Sequence, residues 1–145
     1  MRVPPNVEQV SAIIVDTAFH LHQDLGPGLL ESVYEVILAR LLTDRDLQVQ
    51  RQTPIPILFA GCHFDEGFRA DLLVNDCVLI ELKSIEHLQS LHTKQVLTYL
   101  RLLDLRLGLL INFGSPTFKD GIKRVVNSHT SLASSRLHIN QPSQE

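Results

Sequence analysis

Three charged side chains interrupt two apolar stretches in the middle of the chain. Asp71 lies within the stretch 68–74, and Glu81 and Lys83 lie within the stretch 77–83. Ionised groups are rarely buried among apolar residues unless they are paired or bind a metal ion. Two carboxylates and one ammonium in a small volume suit Mg²⁺ or Mn²⁺, which prefer oxygen ligands and can activate water for attack on a phosphate.

Whether these side chains meet depends on the register of the hairpin that joins the two stretches. Glu81 and Lys83 are two residues apart, so in a strand they project from the same face. Asp71 joins them only if the loop has an odd number of residues, for example 75–77, because a shift of one residue moves a side chain to the opposite face. We therefore predict an odd-length loop or a bulge, with the backbone carbonyl of Leu82 as a further metal ligand.

A second interpretation explains the same charges without any chemistry. The carboxylates and the lysine can form a buried structural ion pair, and such pairs also concentrate shifted pKa values. From the spacing alone, this alternative carries about half the weight. If the site is catalytic, Lys83 can orient or deprotonate water, or stabilise negative charge that develops on the phosphate.

Two helical segments carry further polar side chains. Glu31 and Tyr34 are three residues apart, which places them on one helix face. Gln95 and Tyr99 are four apart and share a face with His92, away from the apolar stripe of the same helix. This polar stripe could face a cleft, but periodicity alone makes a solvated helix face roughly twice as favoured.

Three helices are predicted to position these residues. Asn6 can cap a first helix that ends at residues 26–28, where Gly-Pro-Gly breaks the pattern. A second helix is predicted from Leu29 to about Asp46, because its apolar residues follow helical spacing. A third is predicted over residues 88–104.

Four strands complete the predicted order ααβββαβ, which implies one sheet flanked by helices. The first, Val49 to Phe59, contains Pro54 and Pro56 and should therefore lie at an edge of the sheet. The strands that carry the charged residues are nearly continuously apolar, so helices should cover both faces of the sheet. The remaining predicted strand is Leu107 to Asn112. Residues 122–126 fit either a short last strand or a helical turn.

Composition limits the classes of protein that need to be considered. The chain has 145 residues, a formal net charge of −3 and two cysteines. The charge argues weakly against a general nucleic-acid binder, but an acidic metal site lowers the formal charge of a nuclease until the cation binds. No run approaches the roughly 20 apolar residues that span a membrane, and the N-terminus lacks the apolar segment of a signal peptide. Two cysteines without a framework favour a reducing, cytoplasmic setting.

Four blocks of sequence occur in a distinctive order. They are GLLESVY at 28–34, RADLLV at 69–74 followed by IELK at 80–83, QVLTYL at 95–100, and LGLLINF at 107–113. Together they resemble the GxxExxY family, a branch of the PD-(D/E)XK nuclease superfamily. The resemblance covers about residues 7 to 126.

The resemblance implies a restriction-endonuclease-like α/β fold, with a mixed four-stranded core sheet flanked by helices. It also implies that Asp71 and Glu81 bind the metal ion and that Lys83 is the catalytic lysine. The resemblance adds three residues to the active site: Glu31 from the N-terminal part of the chain, and Gln95 and Tyr99 as a QxxxY pair.

The leading hypothesis is therefore a Mg²⁺- or Mn²⁺-dependent nuclease that acts on DNA or RNA, with DNA favoured. The alternative is a non-catalytic module that binds nucleic acid or a protein partner on the same fold. Because a domain of this size leaves little room for a separate substrate-binding part, we also expect a homodimer or a partner subunit. We expect the nuclease-like domain to span residues 1–126, with a polar and mobile tail over residues 127–145.

Overall fold

The computed structural model describes residues 5–128, apart from the side chains of Pro5 and Glu66. The helices are α1 (Pro5–Leu25), α2 (Glu31–Thr43), α3 (Ser90–Leu103) and α4 (Phe118–Gly121). The strands are β1 (Val49–Phe59), β2 (Cys62–Val74), β3 (Val78–Lys83), β4 (Leu107–Asn112) and β5 (Ile122–Val126). The predicted order ααβββαβ is confirmed, and α4 and β5 follow it.

The strands form one mixed sheet in the order β1-β2-β3-β4-β5. Neighbouring strands are antiparallel except β3 and β4, which are parallel and are connected by α3. A parallel pair needs a long crossover connection, and α3 provides it. The fold is therefore the expected mixed α/β sheet flanked by helices.

The prediction of four strands was one strand short. Residues 122–126 form β5, which pairs antiparallel with β4 from Leu107↔Val126 to Ile111↔Ile122. Because β5 is an edge strand with several exposed residues, its five residues carry too weak an alternation to be distinguished from a helical turn. Pairing with β4 decides between the two interpretations that the sequence left open.

The core lies on both faces of the sheet, as the apolar strands predicted. On one face α1 and α2 pack against a cluster that includes Leu72, Ile80 and Leu82. On the other face α3 packs against a second cluster that includes Leu79 and Leu110. Strand β1 lies at an edge of the sheet, which confirms the expectation from its two prolines.

The helix boundaries differ from the predicted ones by a few residues. Helix α2 begins at Glu31 because Leu30 still has extended backbone, with φ −69° and ψ 150°. It ends at Thr43, and the chain reverses at Asp46, whose φ is 65°. Helix α3 begins at Ser90, where the side chains of Gln89 and His92 form a capping box.

The expected tail falls largely outside the described residues, which end at 128. Its first residue, Asn127, is buried and belongs to the folded part of the chain. The Asn127 amide donates to the Arg106 carbonyl at 2.8 Å, and its side chain donates to the Leu105 carbonyl at 3.0 Å. Packing against the segment before β4 therefore continues one residue beyond β5.

Candidate active site

The β2–β3 hairpin has the odd-length loop that the sequence analysis predicted. Val74 pairs with Val78 and Leu72 with Ile80, which leaves residues 75–77 as a three-residue loop. The amide of Cys77 donates to the Val74 carbonyl at 3.0 Å and closes the turn. Continued by one step, this register places Asp71 across from Glu81, beyond the last backbone pair.

Asp71 and Glu81 lie where β2 and β3 separate, and their side chains replace backbone pairing there. The Asp71 amide donates to Oε1 of Glu81 at 3.1 Å. In return, the Leu82 amide donates to Oδ2 of Asp71 at 2.8 Å. The two carboxylates therefore occupy the gap between the strands and are fixed by backbone groups.

Burial raises the pKa of both carboxylates. Burial, followed by the charge of Asp71, raises the pKa of Glu81 from 4.5 to about 8, and Glu81 is only 8% exposed. The pKa of Asp71 is also raised, first by burial, although the hydrogen bond from Leu82 opposes the rise. The positive charge of Lys83, a half-buried residue two positions after Glu81, opposes the rise at Glu81. The three predicted residues therefore lie in one electrostatic unit.

Glu31 joins this unit from the first turn of α2. Its Oε1 accepts from the amide of Ser84 at 3.3 Å, and Ser84 directly follows Lys83. The Ser84 hydroxyl donates to the Leu29 carbonyl at 2.5 Å, so two hydrogen bonds connect the start of α2 to the end of β3. This connection brings Glu31 to the end of the strand that carries Glu81 and Lys83.

Tyr34 holds the loop that precedes Glu31. Its hydroxyl donates to the Gly26 carbonyl at 2.5 Å and accepts from the Leu29 amide at 3.2 Å. The ring is fully buried and stacks on Phe113, with ring centres 4.4 Å apart. Gly26 has φ +69°, a conformation that glycine adopts without strain. Tyr34 therefore fixes the loop that leads into α2 and Glu31.

A family model of the PD-(D/E)XK nuclease superfamily matches residues 8–125, which covers most of the chain. The chain belongs to the PD-(D/E)XK nuclease superfamily. The comparisons with curated proteins and with solved structures gave no match. Within the superfamily, the GxxExxY branch stays a prediction.

In this PD-(D/E)XK chain, α3 brings Tyr99 to the carboxylates. Tyr99 is only 7% exposed, and its pKa is raised by burial and then by the negative charges of Glu81 and Asp71. Its ring also contacts Phe68, with centres 5.1 Å apart. Gln95 lies one helical turn before Tyr99 and is half-buried. Tyr99 is therefore largely buried and lies close enough to Glu81 and Asp71 to feel their charges.

His92 has a different role from the one that the predicted stripe suggested. Its Nδ1 accepts from the amide of Gln89 at 3.0 Å, so it caps the N-terminus of α3. Helix amides left without intrahelical partners are commonly satisfied in this way. His92 therefore stabilises the helix that carries Gln95 and Tyr99.

The structure adds Glu35 and Gln52, two residues that the sequence analysis missed. Glu35 is 5% exposed, and its carboxylate accepts from the side chains of Arg51 and Gln52. Gln52 also donates to Oδ1 of Asp71 at 3.3 Å, which connects this group to the predicted site. The sequence offers one signal for Glu35, which is its position one helical turn after Glu31 on the same helix face.

A cleft of about 680 Å³ opens over this arrangement. Its walls include the carboxylates of Glu31, Glu35 and Asp71, together with Arg51 and Gln52. The cleft gives solvent and a ligand access to Asp71, so the acidic gap is open on one side. It has room for a cation and the phosphate of a substrate.

The described residues contain neither a ready-made cluster of metal-binding side chains nor a membrane-spanning helix. Among residues 5–128, no three His, Cys, Asp or Glu side chains are grouped so that they could hold a metal ion by themselves. None of the helices in that range is long and apolar enough to cross a bilayer. Any cation at Asp71 and Glu81 therefore needs backbone or water ligands as well.

Proposed function

We propose that the protein is a divalent-metal-dependent nuclease that hydrolyses phosphodiester bonds of nucleic acid, with DNA as the favoured substrate. The observation that carries the proposal is the gap between β2 and β3, where Asp71 and Glu81 lie beside Lys83. Membership of a nuclease superfamily supports the same reaction class.

The groups that face the gap fit Mg²⁺ or Mn²⁺. Both ions prefer oxygen ligands, and Mg²⁺ usually keeps several waters, so two carboxylates and one carbonyl are a sufficient set of protein ligands. The Leu82 amide points toward Asp71, and the amide and carbonyl of one strand residue face the same neighbouring strand. The Leu82 carbonyl therefore also faces β2, where it can act as a metal ligand together with Asp71 and Glu81. A cation there would also offset the burial and the neighbouring negative charges that raise both pKa values.

The bound cation would supply charge stabilisation at the phosphate and a more acidic water. The protein's own groups supply position and proton transfer. The ammonium of Lys83 can orient the attacking water or stabilise negative charge on a phosphoryl oxygen. Glu31, which is tied to the Ser84 amide, presents a second carboxylate at the end of β3. In this proposal Tyr99 and Gln95 border the site from α3.

A cleavage assay tests the proposal. Single-stranded, duplex and branched DNA, and RNA of the same sequences, are incubated with Mg²⁺, Mn²⁺ or EDTA. We expect metal-dependent cleavage by the wild type and a loss of about 100-fold or more in Lys83→Ala. Lys119→Ala is the matched control, because Lys119 is an exposed lysine on α4. Equal residual cleavage by the wild type and Lys83→Ala would mean that the activity does not belong to this protein.

Metal binding distinguishes the nuclease from a non-catalytic binding module. Calorimetry with Mn²⁺ should show binding by the wild type that is lost in Asp71→Ala. If no such binding exists but nucleic acid still binds, the chain is a binding module on a nuclease fold. Light scattering tests the expected homodimer. A cytoplasmic location, proposed because Cys62 and Cys77 are free thiols, can be tested by fractionation.

A further inference from the structure

Gln52 distorts β1 at the point that faces Asp71. Its φ is +52°, in the left-handed region that residues other than glycine adopt rarely and at an energetic cost. Backbone pairing between β1 and β2 includes Arg51↔Leu72 and Thr53↔Ala70, on either side of this position. Such strained residues persist where the surrounding contacts hold them, and they cluster at functional sites.

The distortion lets the side chain of Gln52 reach two carboxylates at once. Its Nε2 donates to Oε1 of Glu35 and, at 3.3 Å, to Oδ1 of Asp71. The Gln52 carbonyl accepts from Nη1 of Arg69 at 3.2 Å, which gives the displaced backbone a partner. One amide group therefore connects α2 with the candidate metal site on β2.

Arg51 holds Glu35 in position. The carboxylate is buried, and its Oε2 accepts from Nε and Nη2 of Arg51 at 3.2 and 3.1 Å. Both bonds go to the same oxygen, and hydrogen bonds between charged groups are stronger than neutral ones. Because Arg51 holds one oxygen of Glu35, the other oxygen is positioned to hold the amide of Gln52.

Two donors orient the carboxylate of Asp71 and leave acceptor positions free. Oδ2 accepts from the Leu82 amide and Oδ1 accepts from Gln52, so each oxygen is oriented by one donor. Each carboxylate oxygen has about two lone pairs, which leaves one on each oxygen for a cation. An amide orients the carboxylate without a positive charge, whereas a lysine or arginine there would compete with the cation.

We propose that Gln52 is a positioning residue that orients the carboxylate of Asp71 for a divalent cation, with Glu35 and Arg51 as its support. The inference rests on the proposed function, because it assigns Asp71 as a metal ligand. It extends the site to β1, which none of the motifs in the sequence indicated. Partners of this kind that orient metal ligands commonly change metal affinity or activity by about 10- to 100-fold when removed.

Two substitutions separate the amide contact from the backbone strain. Gln52→Ala removes the amide and keeps a residue that is strained at this φ. Gln52→Gly also removes the amide, but glycine adopts positive φ without strain. Gln50→Ala is the matched control on the same strand, because Gln50 donates to Asp76 in the hairpin loop at 3.2 Å.

The measurements are Mn²⁺ affinity by calorimetry, thermal stability, and kcat and KM for cleavage. We expect both Gln52 variants to bind Mn²⁺ at least about tenfold more weakly and to lose kcat with little change in KM. We also expect Gln52→Gly to melt no lower than Gln52→Ala, because glycine relieves the backbone strain, so an affinity lost in both variants is due to the missing amide. Gln50→Ala should behave as the wild type.

Two failures can be told apart. If the wild type binds Mn²⁺ and Gln52→Gly binds it equally well, the role of Gln52 is wrong while the nuclease proposal stands. If the wild type binds no Mn²⁺, both proposals fall, because Asp71 is then not a metal ligand.

Discussion

The carboxylates of Asp71 and Glu81 each accept a hydrogen bond from a backbone amide of the other residue's strand. Glu81 accepts from the amide of Asp71 at 3.1 Å, and Asp71 accepts from the amide of Leu82, the residue after Glu81, at 2.8 Å. These bonds replace the backbone pairs that would otherwise continue past Leu72↔Ile80. The arrangement keeps β2 and β3 apart while it places the buried Glu81 beside the half-buried Asp71, and several measurable properties depend on it.

Glu81 should make the metal-free protein less stable as pH rises. Its pKa is about 8 in the folded chain against an ordinary value of 4.5, so folding favours the protonated form. The stability that this proton contributes is fully present below pH 4.5 and is lost as pH rises through 8. We expect Glu81→Gln to melt close to the wild type at pH 5 and about 3 °C or more above it at pH 9, in EDTA.

Thermal melts at pH 5, 7 and 9 check this prediction, with Glu86→Gln as the control because Glu86 is an exposed acid in the next loop. Mn²⁺ should reverse the order at pH 8, since a ligand that binds only the folded wild type raises its melting temperature. If the difference in melting temperature between Glu81→Gln and the wild type is the same at every pH, the predicted pKa shift is contradicted.

Removing the hydroxyl of Tyr34 should loosen the loop before α2. Tyr34→Phe keeps the stack on Phe113 but removes the bonds to Gly26 and Leu29. We expect a loss of about 1–3 kcal/mol in the free energy of unfolding, measured by urea denaturation. Cleavage should fall by about tenfold or more, because a carboxylate displaced by even 1 Å costs activity, and Glu31 follows this loop.

The two readouts separate the roles of this loop. A variant that loses stability but keeps the wild-type cleavage rate would show that Glu31 is positioned independently of Tyr34. The bonds from Ser84 to Glu31 and Leu29 would then be sufficient for its position.

The sequence was sufficient to locate the centre of the candidate site. Asp71, Glu81 and Lys83 stand out because each is a charge in an apolar strand, a property visible in a few neighbouring residues. The odd loop length was predicted because Asp71 had to share a face with Glu81 and Lys83, and the register of β2 against β3 agrees with it. The order of the elements followed from periodicity in the same way.

The surroundings of the site could not be predicted, because they depend on contacts between distant segments. Arg51 meets Glu35 across 16 positions, and Gln52 meets Asp71 across 19. No glycine marks the positive φ of Gln52, so the sequence carries no local sign of it. A glutamate such as Glu35 on a helix is usually solvated, so its burial needed the packed structure to be seen.

Asn112 should be essential for joining the loops that follow β3 and β4. It is 1% exposed, and its Oδ1 accepts from the amides of Ile85 and Gly114 at 3.0 and 3.1 Å. Its Nδ2 donates to the Ile85 carbonyl at 2.9 Å and to Ser115 Oγ at 3.3 Å. We expect Asn112→Ala to cost about 3 kcal/mol of folding free energy, because buried partners lose their hydrogen bonds.

Asn112→Asp tests which half of the amide matters. The aspartate keeps an acceptor for the two amides but, when ionised, loses both donors and faces a carbonyl. We expect a cost similar to that of the alanine variant at pH 7 in urea denaturation. Asn75→Asp is the matched exposed control, because Asn75 acts there as an acceptor for the Gln48 amide at 2.7 Å, and it should be nearly neutral. Equal effects at the two sites would contradict the prediction.

Gly108 should be required for the close approach of α3 to β4. A Cβ on this residue would lie 2.7 Å from Cγ1 of Val96 and 3.4 Å from Leu100. We expect Gly108→Ala to destabilise the protein by about 1–3 kcal/mol, measured by urea denaturation. It should also weaken cleavage, since α3 carries Gln95 and Tyr99.

Val96→Ala provides the compensating change, because it removes the methyl group that the new Cβ would meet. Alone, Val96→Ala leaves a cavity and lowers stability. Combined with Gly108→Ala, it should give a double variant that is more stable than the sum of the single effects by about 1 kcal/mol or more. Additive effects would mean that α3 shifts to accept the methyl group at Gly108. In that case the helix is not held rigidly against β4, and the position of Tyr99 beside Glu81 would depend on other contacts.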